Sequence, residues 1–185
     1  MTSDEAVVVV LGALDAADIP YMIVGSLASN FHGIPRSTRD ADFVLQISHD
    51  SLQRLAACLP PDLSLERQGA FEGVTGTMRH LIVLRDSPFV CELFALSDDP
   101  HDQERFQRRQ RVEILGRTGS VATAEDMIIT KLRWAVEASR IKDRDDIRNM
   151  LAVQGSTLDW DYLNRWSAAH GTARLLDEIR FSIPP

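Results

Sequence analysis

The chain has 185 residues, 44% of them hydrophobic and 25% charged, with a net charge of −7. That length suits one domain with a real core, or a domain with a small helical annex, and the composition is that of a globular protein rather than a disordered or fibrous one. No apolar run approaches the ~18 residues of a membrane span, and the acidic balance speaks against broad, nonspecific nucleic-acid binding. Cys58 and Cys91 are isolated in sequence and are expected to be buried thiols in a cytoplasmic setting rather than a disulfide. The apolar stretch at 6–14 is short and follows acidic residues, so it does not read as a signal peptide.

Residues 4–17 are predicted helical, with Ser3, Asp4 and Glu5 at the N-terminus where a cap and acidic side chains suit the helix dipole. The β-branched run of Val7, Val8, Val9 and Val10 makes a strand the competing assignment. Residues 21–24 then form a short apolar run after Pro20, which fits a buried strand. Gly25 and Ser26 turn the chain into a helix that starts with LASNF. Glycine permits unusual backbone angles and close approach of a ligand. The free N–H groups of a helix start are an anion site, and the Ser26 hydroxyl is placed to meet a phosphate.

Gly33, Ile34 and Pro35 break that helix before Arg36. Asp40 to Ile47 reads as a strand. Alternation puts Asp40 and Asp42 on one face and Phe43 and Leu45 in the core. Two carboxylates about 6–7 Å apart along a strand suit a hard cation such as Mg²⁺, which is usually held by one or two carboxylates plus substrate phosphates.

Ser48, His49, Asp50 and Ser51 suit a cap for a helix carrying Leu52, Leu55, Ala56 and Leu59, which Pro60 and Pro61 end. Leu63 and Leu65 suggest a short strand, and residues 68–76 a loop. Residues 80–84 and 89–96 read as two strands of a hairpin. The second carries one acid, Glu92, in an otherwise apolar run, where a charge is costly unless it is paired, metal-bound or at a cleft. Residues 98–104 read as a solvated acidic segment leading into a short helix, with a metal cluster of its acids and His101 as the alternative. Arg105, Arg108, Arg109, Arg111 and Arg117 read as a solvated basic face, with a surface for RNA or for a partner protein as the alternative. Short strands are expected on either side of a turn at Arg117, Thr118 and Gly119.

Thr123 with Asp126 forms a variant capping box, and Met127, Ile128, Leu132 and Ala135 follow at helical spacing. Lys131, a point charge on a long stem, suits phosphate. Lys142 and Asp146 are spaced for an i,i+4 ion pair. A further helix is expected over 158–169, capped by Thr157 or Asp159, and a last short one after Gly171. Trp134, Trp160 and Trp166 are expected in the core of this helical region.

Gly25-Ser26, thirteen residues, and then Asp40-Ala41-Asp42 together resemble the signature of the nucleotidyltransferase superfamily that includes DNA polymerase beta. The phrase RSTRDADF, with AEDMIITKLRWA and RIKDRDDIRNML further on, looks more narrowly like the toxin-type nucleotidyltransferases of abortive-infection and toxin–antitoxin systems. The resemblance covers roughly residues 5–155. It implies an α/β (α+β) fold: a small mixed sheet flanked by helices, core residues 1–122, and a C-terminal helical region, 123–185, packed on that core. It also implies a nucleoside triphosphate held by Gly25 and Ser26, with Mg²⁺ or Mn²⁺ on Asp40, Asp42 and a third carboxylate, Glu92. Arg36 or Arg39 would meet the pyrophosphate, Lys131 the triphosphate, and Asp143 would support the site.

Glu92 stands where the family usually has aspartate. Its extra methylene moves the carboxylate by about an ångström, a shift that can cost about 10²-fold in rate. Ala41 replaces the bulkier residue usual between the two aspartates. The implied partners are a nucleoside triphosphate, an acceptor (RNA such as the transfer-RNA 3′ end, a protein or a small molecule) and a cognate antitoxin. Two other readings share these residues: a catalytically weak protein of this fold that acts by binding, and a metal-dependent phosphohydrolase.

Overall fold

The computed structural model describes residues 1–183 apart from 49, 67, 73–75 and 138–140. His49 of the predicted cap, residues 73–75 of the predicted loop, Ser139, Arg140 and the final two prolines lie outside the described residues. The chain divides into two compact units: Met1–Leu27 with Ser37–Val121, and Ala28–Arg36 with Ala122–Pro185.

In the first unit, helix α1 spans Ser3–Ala16. Its cap is Thr2 rather than Ser3. The Thr2 hydroxyl accepts from the Glu5 amide at 3.2 Å, and Glu5 Oε2 accepts from the Thr2 amide at 2.8 Å, a full capping box. The valine run is helical because Val7, Val10, Leu11 and Leu14 form one buried stripe, and burial outweighs the small propensity cost of β-branching.

The strands are β1 (Tyr21–Val24), β2 (Asp40–Leu45), β3 (Leu63–Leu65), β4 (Ala70–Glu72), β5 (Thr77–Leu84), β6 (Val90–Ala95), β7 (Gln110–Ile114) and β8 (Arg117–Val121). Among the described residues they make one mixed sheet in the order β3-β5-β6-β2-β1-β8-β7, with β4 on β5. The β2–β6 and β1–β8 pairs are parallel and the others antiparallel. Helix α2 (Gly25–His32) follows β1 directly, α3 is Ser51–Cys58 and α4 is Pro100–Arg108. The expected small mixed sheet with flanking helices and a helical C-terminal region is the architecture found.

The two faces of the sheet differ. Ile23, Ala41, Phe43, Leu45, Cys91, Leu93 and Ile82 are buried on one face. Helix α1 reaches that face: a Cβ on Gly119 of β8 would meet Ile23 at 3.3 Å and Leu11 at 3.7 Å. On the other face, Asp40, Asp42, Val90 and Glu92 are half-buried.

Several local expectations are corrected. Ala70–Glu72 is a strand paired to Thr77–Arg79, not loop. The β7–β8 turn is Leu115-Gly116, with φ of +52° and +74°, which is the two-residue primed hairpin; Gly119 lies within β8. Cys58 is exposed, and Cys91 is the buried thiol; both are free. The arginine-rich segment is a solvated face only in part: Arg111 is exposed, but others are engaged. Arg105 is buried against Asp102 at 2.8 Å, Arg109 lies over the Phe106 ring at 4.1 Å, and Arg117 pairs with Asp15 at 2.7 Å. In the acidic segment, Asp99 caps α4 by accepting from the amides of His101 and Asp102, and His101 is buried.

In the second unit, α5 is Ala124–Glu137, α6 Ile141–Gln154, α7 Trp160–Ala169 and α8 Ala173–Phe181. Thr123 caps α5 as predicted, accepting from the Asp126 amide at 3.2 Å and donating to its carboxylate at 2.7 Å. Tyr162 of α7 donates to the other Asp126 oxygen at 2.6 Å. Asp159 caps α7. The core is aliphatic, built on Ile128, Leu132, Ile147, Met150, Leu163 and Leu176. The three tryptophans are half-buried rather than core; Arg180 lies over the Trp160 ring at 4.0 Å. Among the described residues, no helix is long and apolar enough to cross a membrane.

Candidate active site

The site starts from strand register. Asp42 pairs with Glu92 across the parallel β2–β6 ladder, and Asp40 pairs with Val90. Residues paired across a ladder share a face, and neighbouring strands lie about 4.8 Å apart. Asp40, Asp42 and Glu92 therefore stand on the same face, at the start of two strands. Glu92 could have been sent to the opposite face by a one-residue slip; the register brings it beside Asp42.

On the other side of β2, Asp42 pairs with Val24, the last residue of β1. Gly25 follows at once, with φ +62°. An added Cβ there would lie 1.7 Å from Asp42 Oδ2. The glycine is thus required twice, by its backbone angle and by the carboxylate resting against it. This contact ties the Gly25-Ser26 pair to Asp40 and Asp42. Gly25 and Ser26 open α2, and Ser26 is buried in its first turn.

Two further residues of this face are not evident from sequence. Thr38 donates its hydroxyl to Asp40 Oδ1 at 2.6 Å, which fixes the carboxylate's orientation. Its position two residues before Asp40 was the available signal. Arg79 comes from β5, where Leu81 pairs with Glu92 and Arg79 with Phe94. Its Nη1 lies 3.3 and 3.5 Å from the two Glu92 oxygens. Arg79 stands one residue before the strand expected over 80–84, so the sequence reading left it outside the hairpin. Behind the acids, the Cys91 thiol is pushed up to about 12, by burial first and then by the charge of Asp42.

Arg39 is exposed in the loop before β2. Arg36 belongs to the second unit, and its fork is engaged by Asp146: Nε to Oδ1 at 2.8 Å and Nη2 to Oδ2 at 2.8 Å. Lys131 of α5 is buried in the same unit, 2.8 Å from both Asp143 Oδ1 and Asp146 Oδ2. Asp146 thus pairs with Arg36 and Lys131 rather than with Lys142, which is exposed. Burial alone would raise the Asp146 pKa. Hydrogen bonds from Arg36 and Lys131, and their charges, outweigh that and hold it below the ordinary carboxylate value. His32, at the end of α2, makes a 2.7 Å hydrogen bond through Nε2 to the Ala122 carbonyl. Burial lowers its pKa despite that bond and the charge of Glu125.

Three carboxylates on a half-open face, beside a helix start whose first residue has no side chain, can hold a divalent cation and admit phosphate. No family model matches this sequence, and no curated protein matches it. Among solved structures, the chain is similar to the antibiotic-resistance factor ANT(2'')-Ia in solution, with a TM-score of 0.64 at 15% identity over 97% of this chain and 96% of that one. The crystal structure of ANT(2")-Ia in complex with adenylyl-2"-tobramycin gives 0.64 at 16% identity, over 94% and 99%. An antigenic nucleotidyltransferase-like protein from Paracoccidioides brasiliensis gives 0.59 at 19% identity, over 98% and 94%. The chain has the nucleotidyltransferase fold.

Proposed function

We propose that the protein is a nucleotidyltransferase dependent on Mg²⁺ or Mn²⁺, which moves a nucleoside monophosphate from a triphosphate to a hydroxyl acceptor. The observation that carries this reading is the alignment of Asp40, Asp42 and Glu92 on one face, with Asp42 packed against the glycine that opens α2. Asp40, Asp42 and Glu92 would hold the metal, which supplies charge stabilisation at the attacking and leaving oxygens of an in-line displacement.

The residues of the chain divide the remaining work. Amides at the start of α2, with the Ser26 hydroxyl, receive the β- and γ-phosphates. Thr38 holds Asp40 in one orientation. Glu92 takes the proton from the acceptor hydroxyl as its oxygen bonds the α-phosphorus. The bond from that phosphorus to the β-bridging oxygen breaks, and pyrophosphate leaves. Arg39, exposed beside Asp40, is assigned to the departing pyrophosphate. Lys131 and Asp143, which the sequence resemblance assigns to the nucleotide, pair with each other in the second unit.

The acceptor class proposed first is RNA, in a toxin–antitoxin setting, on the strength of the RSTRDADF and KDRDD phrases; protein and small-molecule hydroxyls are the alternatives. A second reading has one specific observation behind it. Glu92 is already paired with Arg79, which favours a catalytically weak protein that binds a triphosphate without turning it over.

The test uses each of the four α-labelled nucleoside triphosphates with Mg²⁺ and transfer RNA, protein or an aminoglycoside as acceptor. Label transfer with pyrophosphate release is expected, and Asp42→Asn should abolish it while leaving the melting temperature within a few degrees. Binding without turnover favours the second reading. Release of inorganic phosphate makes the protein a phosphohydrolase instead.

A further inference from the structure

The geometry points to Arg79 as a removable counter-ion on Glu92, one that holds this carboxylate before the metal arrives and competes with the metal for it. This rests on the proposed metal site. Arg79 and Glu92 face the same side of the sheet from adjacent strands, one diagonal apart. Their contact is loose. At 3.3 and 3.5 Å it is longer than the 2.7–2.9 Å of a settled charge-assisted bond. Among the described residues, Arg79 Nε is buried and has no hydrogen-bond partner, so the guanidinium does not sit in a fully satisfied cradle. The pair is only partly shielded, with side chains 34% and 22% exposed.

A cation so placed has two effects. It neutralises Glu92 in the absence of metal, so the three acids do not repel one another unrelieved. It also taxes metal binding, because a divalent ion must displace it or tolerate its charge. Glutamate in place of the shorter acid gives the carboxylate the reach to be held from β5 or swung toward Asp42. Arg79 is thus a positioning residue that sets metal affinity, rather than a group that touches the reacting atoms.

The experiment measures Mn²⁺ binding without nucleotide, from the loss of the free-ion electron paramagnetic resonance signal. The proteins are wild type, Arg79→Gln, Arg79→Lys, Glu92→Gln, the Arg79→Gln/Glu92→Gln double variant and Asp42→Asn. Arg85→Gln is the control for net charge, since Arg85 is exposed and faces Asp62 at 3.9 Å. Arg79→Gln should tighten Mn²⁺ binding about fivefold, the scale of a partly exposed ion pair. Arg79→Lys and Arg85→Gln should stay near wild type. In the Glu92→Gln background the gain should vanish.

Unchanged or weaker binding by a folded Arg79→Gln protein overturns the proposal. So does a gain that persists without Glu92, or one matched by Arg85→Gln. Equal Mn²⁺ binding by wild type and Asp42→Asn would overturn the metal site itself, and with it this proposal, so the two failures are distinct.

Discussion

Gly25 and Asp42 are seventeen residues apart in sequence and in direct contact in the structure, with no room for a methyl group between them. Gly25→Ala would force both a left-handed backbone angle on alanine, at about 1–2 kcal/mol, and a displaced carboxylate. It should lower the melting temperature by several degrees and turnover by about 10²-fold, read by thermal melting and pyrophosphate release. Thr38→Val keeps the shape and removes the bond to Asp40. Its expected signature is a smaller loss in kcat, about tenfold, with unchanged melting. Glu92→Gln should lower kcat with little change in triphosphate KM. At this scale much of the site was legible. Gly25, Asp40 and Asp42 stand out by residue type and spacing, and Glu92 because a lone charge interrupts an apolar run. Thr38 and Arg79 were not legible, because the role of Thr38 depends on a rotamer and Arg79 stands just before the strand expected over 80–84.

Helices α5 and α6 share a buried charge cluster, Lys131, Asp143 and Asp146, joined by Arg36. Removing one member leaves the others uncompensated, so Asp146→Asn and Lys131→Met should each destabilise the second unit by ~3 kcal/mol, measured by denaturant unfolding at neutral pH. The pH dependence has a definite sign. Asp146 has a lowered pKa in the folded chain, so its contribution is full above the ordinary carboxylate value and is lost as pH falls through the folded value. His32, also lowered, contributes fully above the ordinary imidazole value, and its contribution shrinks as pH falls below it. Both make the folded chain acid-labile. Asp146→Asn should therefore flatten the acid limb of stability against pH, while His32→Gln flattens the slope just below the ordinary imidazole value. Among the elements, the β5–β6 hairpin, the α5 cap and the helix after Pro100 follow from local pattern. The β7–β8 turn was misplaced because its first central residue is leucine, a poor marker of positive φ, while Gly119 is small for packing against Ile23 and Leu11. Strand β4 has three residues, too few for alternation to register.

For the whole molecule, charge is the property that bears on partners. Net charge is −7, and Arg36, Arg54, Arg79, Arg105, Arg117, Lys131 and Arg148 are each paired with a carboxylate. Those seven of the twenty lysines and arginines are partly neutralised by the chain's own acids and offer less charge to a polynucleotide. Transfer RNA binding measured without triphosphate should be weak and fall with salt at a log–log slope of less than about two; a steep slope would reveal a phosphate-binding track. The overall architecture was legible, since short apolar strands and capped amphipathic helices announce themselves. The division of the chain was less so. Residues 28–36 group with the C-terminal helices, an association made by tertiary contacts that no local composition marks.

The parallel pairing of β2 with β6 sets when the acids can meet. Glu92 follows Asp42 by fifty residues, and parallel neighbours cannot be closed by a tight turn. Such long-range closure is the slow part of folding, so helices and local hairpins form around a centre that is still divided. On the ribosome the three acids can meet only once Ala95, the end of β6 and about halfway along the 185 residues, has been made.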